Sequence, residues 1–146
     1  MSVHKYFTEE SKLQITNAIR VAETNTSGEI RVHIENRCKG DVLDRAAYLF
    51  EKLEMHKTEL RNGVLFYLAV EDHKFAILGD GGINAKVAND FWESTKEVVI
   101  SKLKKGLYAE ALSDGIIMAG EQLKANFPYQ DDDVNELSDE ISFGKN

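Results

Sequence analysis

The chain has 146 residues, 42% of them hydrophobic and 29% charged, which describes one globular domain and excludes disordered, fibrous and membrane-embedded classes. Its formal net charge of -7 repels nucleic acid phosphates and anionic lipid, so neither nucleic acid nor a membrane surface is expected as a partner. A single cysteine, Cys38, excludes an internal disulfide and a cysteine-rich zinc site, and no apolar run reaches the ~20 residues of a spanning helix.

The opening "MSVHKYFTEESK" lacks the apolar core of a signal peptide, and a cytoplasmic protein is expected. Thr8 is placed to cap a first helix that carries Glu9 and Glu10 in its first turn and runs to about Glu23, with Leu13, Ile15, Ala18, Ile19 and Ala22 apolar. "TNTSG" stops it. "EIRVHIE" then alternates strictly, with Ile30, Val32 and Ile34 on one face and Glu29, Arg31, His33 and Glu35 on the other. That pattern predicts a half-buried strand near a sheet edge.

Asp41 is the expected cap of a second helix with a broad apolar stripe (Val42, Leu43, Ala46, Ala47, Leu49, Phe50, Leu53). "VLFYLAV" is apolar on both faces, as in a central strand covered by helices on both sides. The short polar turn "EDHK" before "FAILGD" predicts an antiparallel hairpin over residues 63–79. A third helix is predicted from Ala85 to about Lys105, with Val87, Phe91, Val98 and Leu103 inward and Gly106 as its stop. A fourth runs from Tyr108 to about Ala125 and buries Leu112, Ile116, Ala119 and Leu123. Pro128 closes the compact domain, residues 1–128, and an acidic C-terminal tail, 129–146, retains enough apolar residues to dock on it.

Parallel pairing of the first two strands through the intervening helix sends "TSGE", "RNG" and "GDGG" to one edge of the sheet. The tail leaves from the same edge. Glu29, Asp80 and Asn84 are therefore expected to meet the tail ligands Asp131, Asp132, Asp133, Asn135 and Glu136; were the first strand antiparallel instead, Glu29 would leave the cluster while Asp80 and the tail remain.

"GDGGIN" resembles a phosphate-binding turn only in context: it lacks the last glycine of GxGxxG, no Lys-Ser or Lys-Thr follows, and Asp80 would repel a phosphate. An aspartate among glycines suits a hard cation, whose oxygen ligands can include turned backbone carbonyls. The plainer reading makes Asp80 or Asn84 a helix cap. In the tail, Asp131, Asp133, Asn135 and Asp139 fall on EF-hand positions 1, 3, 5 and 9, but Glu136 replaces the required glycine and Ser142 the bidentate Glu. The segment is oxygen-rich without being an EF-hand. His4, His33, His56 and His73 show no zinc-ligand spacing, and no serine lies in a GxSxG context.

The strings "SGEIRVHIE", "RNGVLFYLAVEDHKFAILGDGGIN" and "GLYAEALSDGIIMAGEQL" together resemble the TPM domain over roughly residues 8–128. The resemblance implies a three-layer αβα sandwich with a small mixed central sheet, an α/β fold that agrees with the elements above. It also implies calcium binding, reported for some members, and acid phosphatase activity, reported for a plant lumen member, with the family's acidic site mapping onto Asp80. A stand-alone form points to a bacterial protein.

The expected function is a divalent-cation-binding domain, with Ca²⁺ preferred over another hard ion such as Mg²⁺, whose metal-stabilised loop and tail serve a regulatory role toward a protein partner. The alternative is a metal-dependent acid phosphatase acting on phosphate monoesters. That chemistry needs positive charge around the phosphate, and Arg61 is the only cation the sequence offers near Asp80.

Overall fold

The computed structural model describes residues 5–130 and 136–144. Helix α1 (Glu9–Asn25) starts as expected, the Thr8 side chain accepting the Ser11 N–H at 3.1 Å. Strand β1 (Glu29–Glu35) follows, then α2 (Val42–Lys52), capped by Asp41 through the Asp44 N–H at 3.1 Å. Strands β2 (Gly63–Ala69) and β3 (Lys74–Gly79) form the hairpin. The rest comprises the short helix α3 (Gly81–Asn84), α4 (Glu93–Leu103), α5 (Tyr108–Leu123) and the two-residue strand β4 (Ser142–Phe143).

The sheet order is β3-β2-β1-β4. β1 pairs parallel with β2, Glu29 opposite Gly63 and Glu35 opposite Ala69, while β2 and β3 are antiparallel. All seven residues of β2 are buried, as a strand apolar on both faces requires. One face packs Val64, Phe66 and Leu68 with Ile15, Ile19, Leu112 and Ile116 of α1 and α5. The other packs Leu65, Tyr67 and Ala69 with Ala46, Leu49 and Phe50 of α2. The result is a three-layer α/β sandwich. Helices α1 and α5 approach so closely that a Cβ at Gly120 would stand 2.8 Å from Ala22 Cα, which leaves room only for glycine.

Two expectations need correction. The helix predicted from Ala85 begins only at Glu93, as α4, and the short α3 before it already ends at Asn84. Tertiary contacts override helical periodicity between them. The Gln122 side chain donates to Phe91 O at 3.0 Å, and the turns Phe91 N–H to Ala88 O (3.1 Å) and Glu93 N–H to Asp90 O (3.0 Å) close around "ANDFW". After the break Val99 rather than Val98 is buried.

Strand β1 is also not half-buried, because six of its seven residues are buried, including Glu29, His33 and Glu35. Its polar face is covered by α2 and by the tail, whose β4 pairs parallel with β1 at His33–Ser142 and Ile34–Phe143. Among the described residues no helix is long and apolar enough to cross a membrane.

Candidate functional site

The start of β1 is where the tail reaches the sheet. Glu29, 4% exposed, accepts the Glu136 N–H at 2.8 Å through Oε1. Its other oxygen, Oε2, is buried and has no hydrogen-bond partner among the described residues. Glu23, on the last turns of α1, presents its own buried and unpartnered Oε2. Asp139 of the tail completes the cluster, with Arg20 Nε a distant 3.9 Å away on a largely exposed side chain.

Burial, a hydrogen bond to Asp139 and the negative charges of Asp139 and Glu29 push the Glu23 carboxyl up to about 10. Burial also raises Glu29; the Glu136 N–H and the bond from Glu23 pull it back, and the charges of Glu136 and Asp139 reinforce the rise. The physical cause is common to both. Ionised carboxyl groups accept hydrogen bonds and donate none, so three of them together in a dry site need either a shared proton or a cation.

The expected meeting of sheet edge and tail therefore takes place, but with a different membership. Glu29 contributes its carboxylate, whereas Glu136 contributes its backbone N–H and turns its own Oε2 to the Glu59 N–H at 3.1 Å. Asp131, Asp132, Asp133 and Asn135 lie outside the described residues. Glu23 was missed by sequence reasoning, because a glutamate near a helix end reads as solvated surface. Asp139 was noticed only as a position in a failed EF-hand pattern.

Asp80 stands at the same edge but two strands away, since its N–H bonds Gly63 O at 2.9 Å and Gly63 faces Glu29. At the usual strand spacing this puts their backbones roughly 10 Å apart. Its carboxylate takes Arg61 Nε and Nη2, both at 2.8 Å, and the Gly81 N–H at 2.7 Å as the cap of α3. Burial alone would raise Asp80, but Arg61 and the Gly81 N–H outweigh it and hold the carboxyl below its ordinary range. Asn84 donates to Gly79 O at 3.2 Å.

Gly82 serves packing here. A Cβ on Gly82 would lie 2.1 Å from Leu60 O, while its N–H bonds Arg61 O at 2.9 Å. "GDGGIN" thus fastens the hairpin to the 58–61 loop.

Among the described residues no three His, Cys, Asp or Glu side chains are already gathered closely enough to hold a metal ion. The donor set nonetheless has the chemistry of a hard-cation site. It is all oxygen and acidic, and the buried Oε2 atoms of Glu23 and Glu29 lack a hydrogen-bond partner among the described residues.

Comparison with known proteins bears on the whole chain. The TPM domain matches residues 3–122. The NMR structure of the BA42 protein from the psychrophilic bacterium Bizionia argentinensis is similar at 47% identity and a TM-score of 0.92, covering 97% of this chain and 98% of that one. The N-terminal domain of the cg2496 protein from Corynebacterium glutamicum shares the fold at a TM-score of 0.62 and 12% identity, over 96% of this chain and 81% of that one. No curated protein matches.

Proposed function

The chain belongs to the TPM domain family, and from that premise we propose that it binds a divalent cation, calcium foremost, between Glu23, Glu29 and Asp139, and that the bound ion fastens the tail to the sheet edge in a regulatory role. The observation that carries this reading is the Glu29 Oε2, on a residue 4% exposed and without a hydrogen-bond partner among the described residues, in a carboxyl group next to that of Glu23, whose buried Oε2 also lacks one. A hard cation would draw the three carboxylates together and replace the proton that otherwise relieves their repulsion. Binding then releases protons, so affinity rises with pH.

Melting temperature in calcium against chelator tests this. A ligand present at 100 times its dissociation constant stabilises by about 2.7 kcal/mol, which at this chain length is a rise of several degrees. We expect that rise in the wild type and its loss in Glu29→Gln. A wild type indifferent to calcium and magnesium would end the proposal. Phosphate monoester hydrolysis has weaker support, because Arg61, the cation beside Asp80, already gives two donors to that carboxylate. Release of phosphate from an aryl phosphate by the wild type, lost in Glu29→Gln, would reinstate it.

A further inference from the structure

At the opposite end of the strands, a cleft of about 360 Å³ opens between the hairpin tip and the junction of α4 with α5. Leu68, Val70 and Phe75 line it from the sheet, and Ile100, Leu103 and Tyr108 from the helices. Three basic side chains, His73, Lys74 and Lys104, also line it, and no acidic residue does. In a chain of net charge -7, that is a local inversion of sign.

None of the three has a carboxylate within ion-pair distance among the described residues. Lys74 is half-buried and gives two of its three ammonium donors to carbonyls, Cys38 O at 3.0 Å and Gly40 O at 2.8 Å. Among the described residues its charge has no carboxylate within ion-pair distance. Asp72, in the same turn, directs Oδ2 to the Cys38 N–H at 2.7 Å instead.

The geometry points to a binding site for a small amphiphilic carboxylate, its aliphatic or aryl body on the Leu68–Phe75–Leu103 wall and its head at Lys74 and Lys104. An apolar concavity of this size with a few convergent polar groups is the usual form of a small-ligand site. The ligand's chemistry follows from the lining. The wall removes apolar surface from water, and a partly desolvated ammonium without a carboxylate partner favours an anion over a neutral head. Phosphate or acetate alone would leave the wall exposed, and an alcohol would leave Lys74 uncompensated.

The test is a titration of sodium octanoate, 1-octanol and sodium acetate into the full ¹⁵N-labelled chain, followed through amide shifts, in calcium and in chelator. Octanoate should give saturable shifts confined to residues 68–75 and 100–108, with octanol and acetate at least tenfold weaker. Lys104→Glu should weaken octanoate about tenfold at an unchanged melting temperature, because the side chain is exposed. Ile100→Asp, at a position 38% exposed, should do the same through the wall. No saturable octanoate response, equal affinity for octanol, or an unaltered affinity in both variants overturns the assignment. The cleft is remote from Glu29, so octanoate affinity should be equal with calcium and with chelator whatever becomes of the cation site.

Discussion

Strand β1 begins and ends on a buried glutamate, and the two have opposite surroundings. Glu35, fully buried, receives Arg45 Nε at 2.9 Å and Nη2 at 2.8 Å, the Tyr67 hydroxyl, and His33 Nε2 at 3.2 Å. Every lone pair has a donor. Glu29 receives one backbone N–H and a bond from the Glu23 carboxyl, and its other charged neighbours are acids. Burial would push Glu35 up, but His33, Arg45 and Tyr67 together hold it at about 2, whereas at Glu29 the Glu136 N–H and the bond from Glu23 offset burial only in part and the carboxyl stays raised. Desolvation is shared; what separates a structural carboxylate from a ligand-seeking one is whether donors surround it.

The largest expected effect follows from removing the satisfied member. Glu35→Ala strands the Arg45 guanidinium and the Tyr67 hydroxyl, and should cost about 3 kcal/mol, toward the low end for a broken buried pair because Arg45 keeps some access to water. Glu29→Gln in chelator should instead be neutral or stabilise by about 1 kcal/mol, since it removes a like charge from an acidic pocket. Urea unfolding at neutral pH measures both. Equal losses at the two ends of β1 would break the comparison.

The pH dependence should divide the same way. The folded pKa of Glu35, about 2, lies below its unfolded value, so its contribution is complete above about pH 4.5 and is lost as pH falls toward 2. Glu23, pushed up to about 10, has the reverse sign: its contribution is complete below about pH 4.5 and declines as pH rises toward 10. Metal-free protein should therefore lose stability at both extremes. Glu35→Ala should flatten the acid limb, and Glu23→Gln or saturating calcium the alkaline one. Urea midpoints at pH 3, 5, 7 and 9 would show this, and an alkaline limb unchanged in Glu23→Gln would remove that glutamate from the site.

Much of this architecture was legible because it rests on local patterns. Thr8 and Asp41 cap their helices as expected, Leu112, Ile116, Ala119 and Leu123 are fully buried on α5, and the parallel crossover brings residues 29, 63 and 80 to one edge. What periodicity could not carry was partnership between distant residues. The alternation of "EIRVHIE" predicts a half-buried strand; only the tail, more than 100 positions away, and Arg45 with Tyr67 make its polar face a buried one. The irregular stretch before α4 depends on Gln122, and the acidic cluster at the start of β1 on Glu23, for the same reason. Asp80 was legible as a cap and as an anion, but Arg61 decides between its uses.

The smallest expected effect is also the one that discriminates best between the two ends of the edge. Asp80→Asn keeps one oxygen to cap the Gly81 N–H and removes the charge, with one of the two acceptors, facing Arg61, whose side chain is 55% exposed. An ion pair with one member in water contributes about 0.2–1 kcal/mol, so the loss should be about 0.5 kcal/mol. Asp80→Ala, which removes the cap as well, should add about 1 kcal/mol to that loss. Because Asp80 is two strands from Glu29 and its oxygens are held by Arg61, neither substitution should alter the calcium-induced rise in melting temperature. If Asp80→Asn abolished that rise while leaving stability in chelator nearly intact, Arg61 would have to swing away on cation binding. The ion would then belong to the hairpin turn rather than to the start of β1.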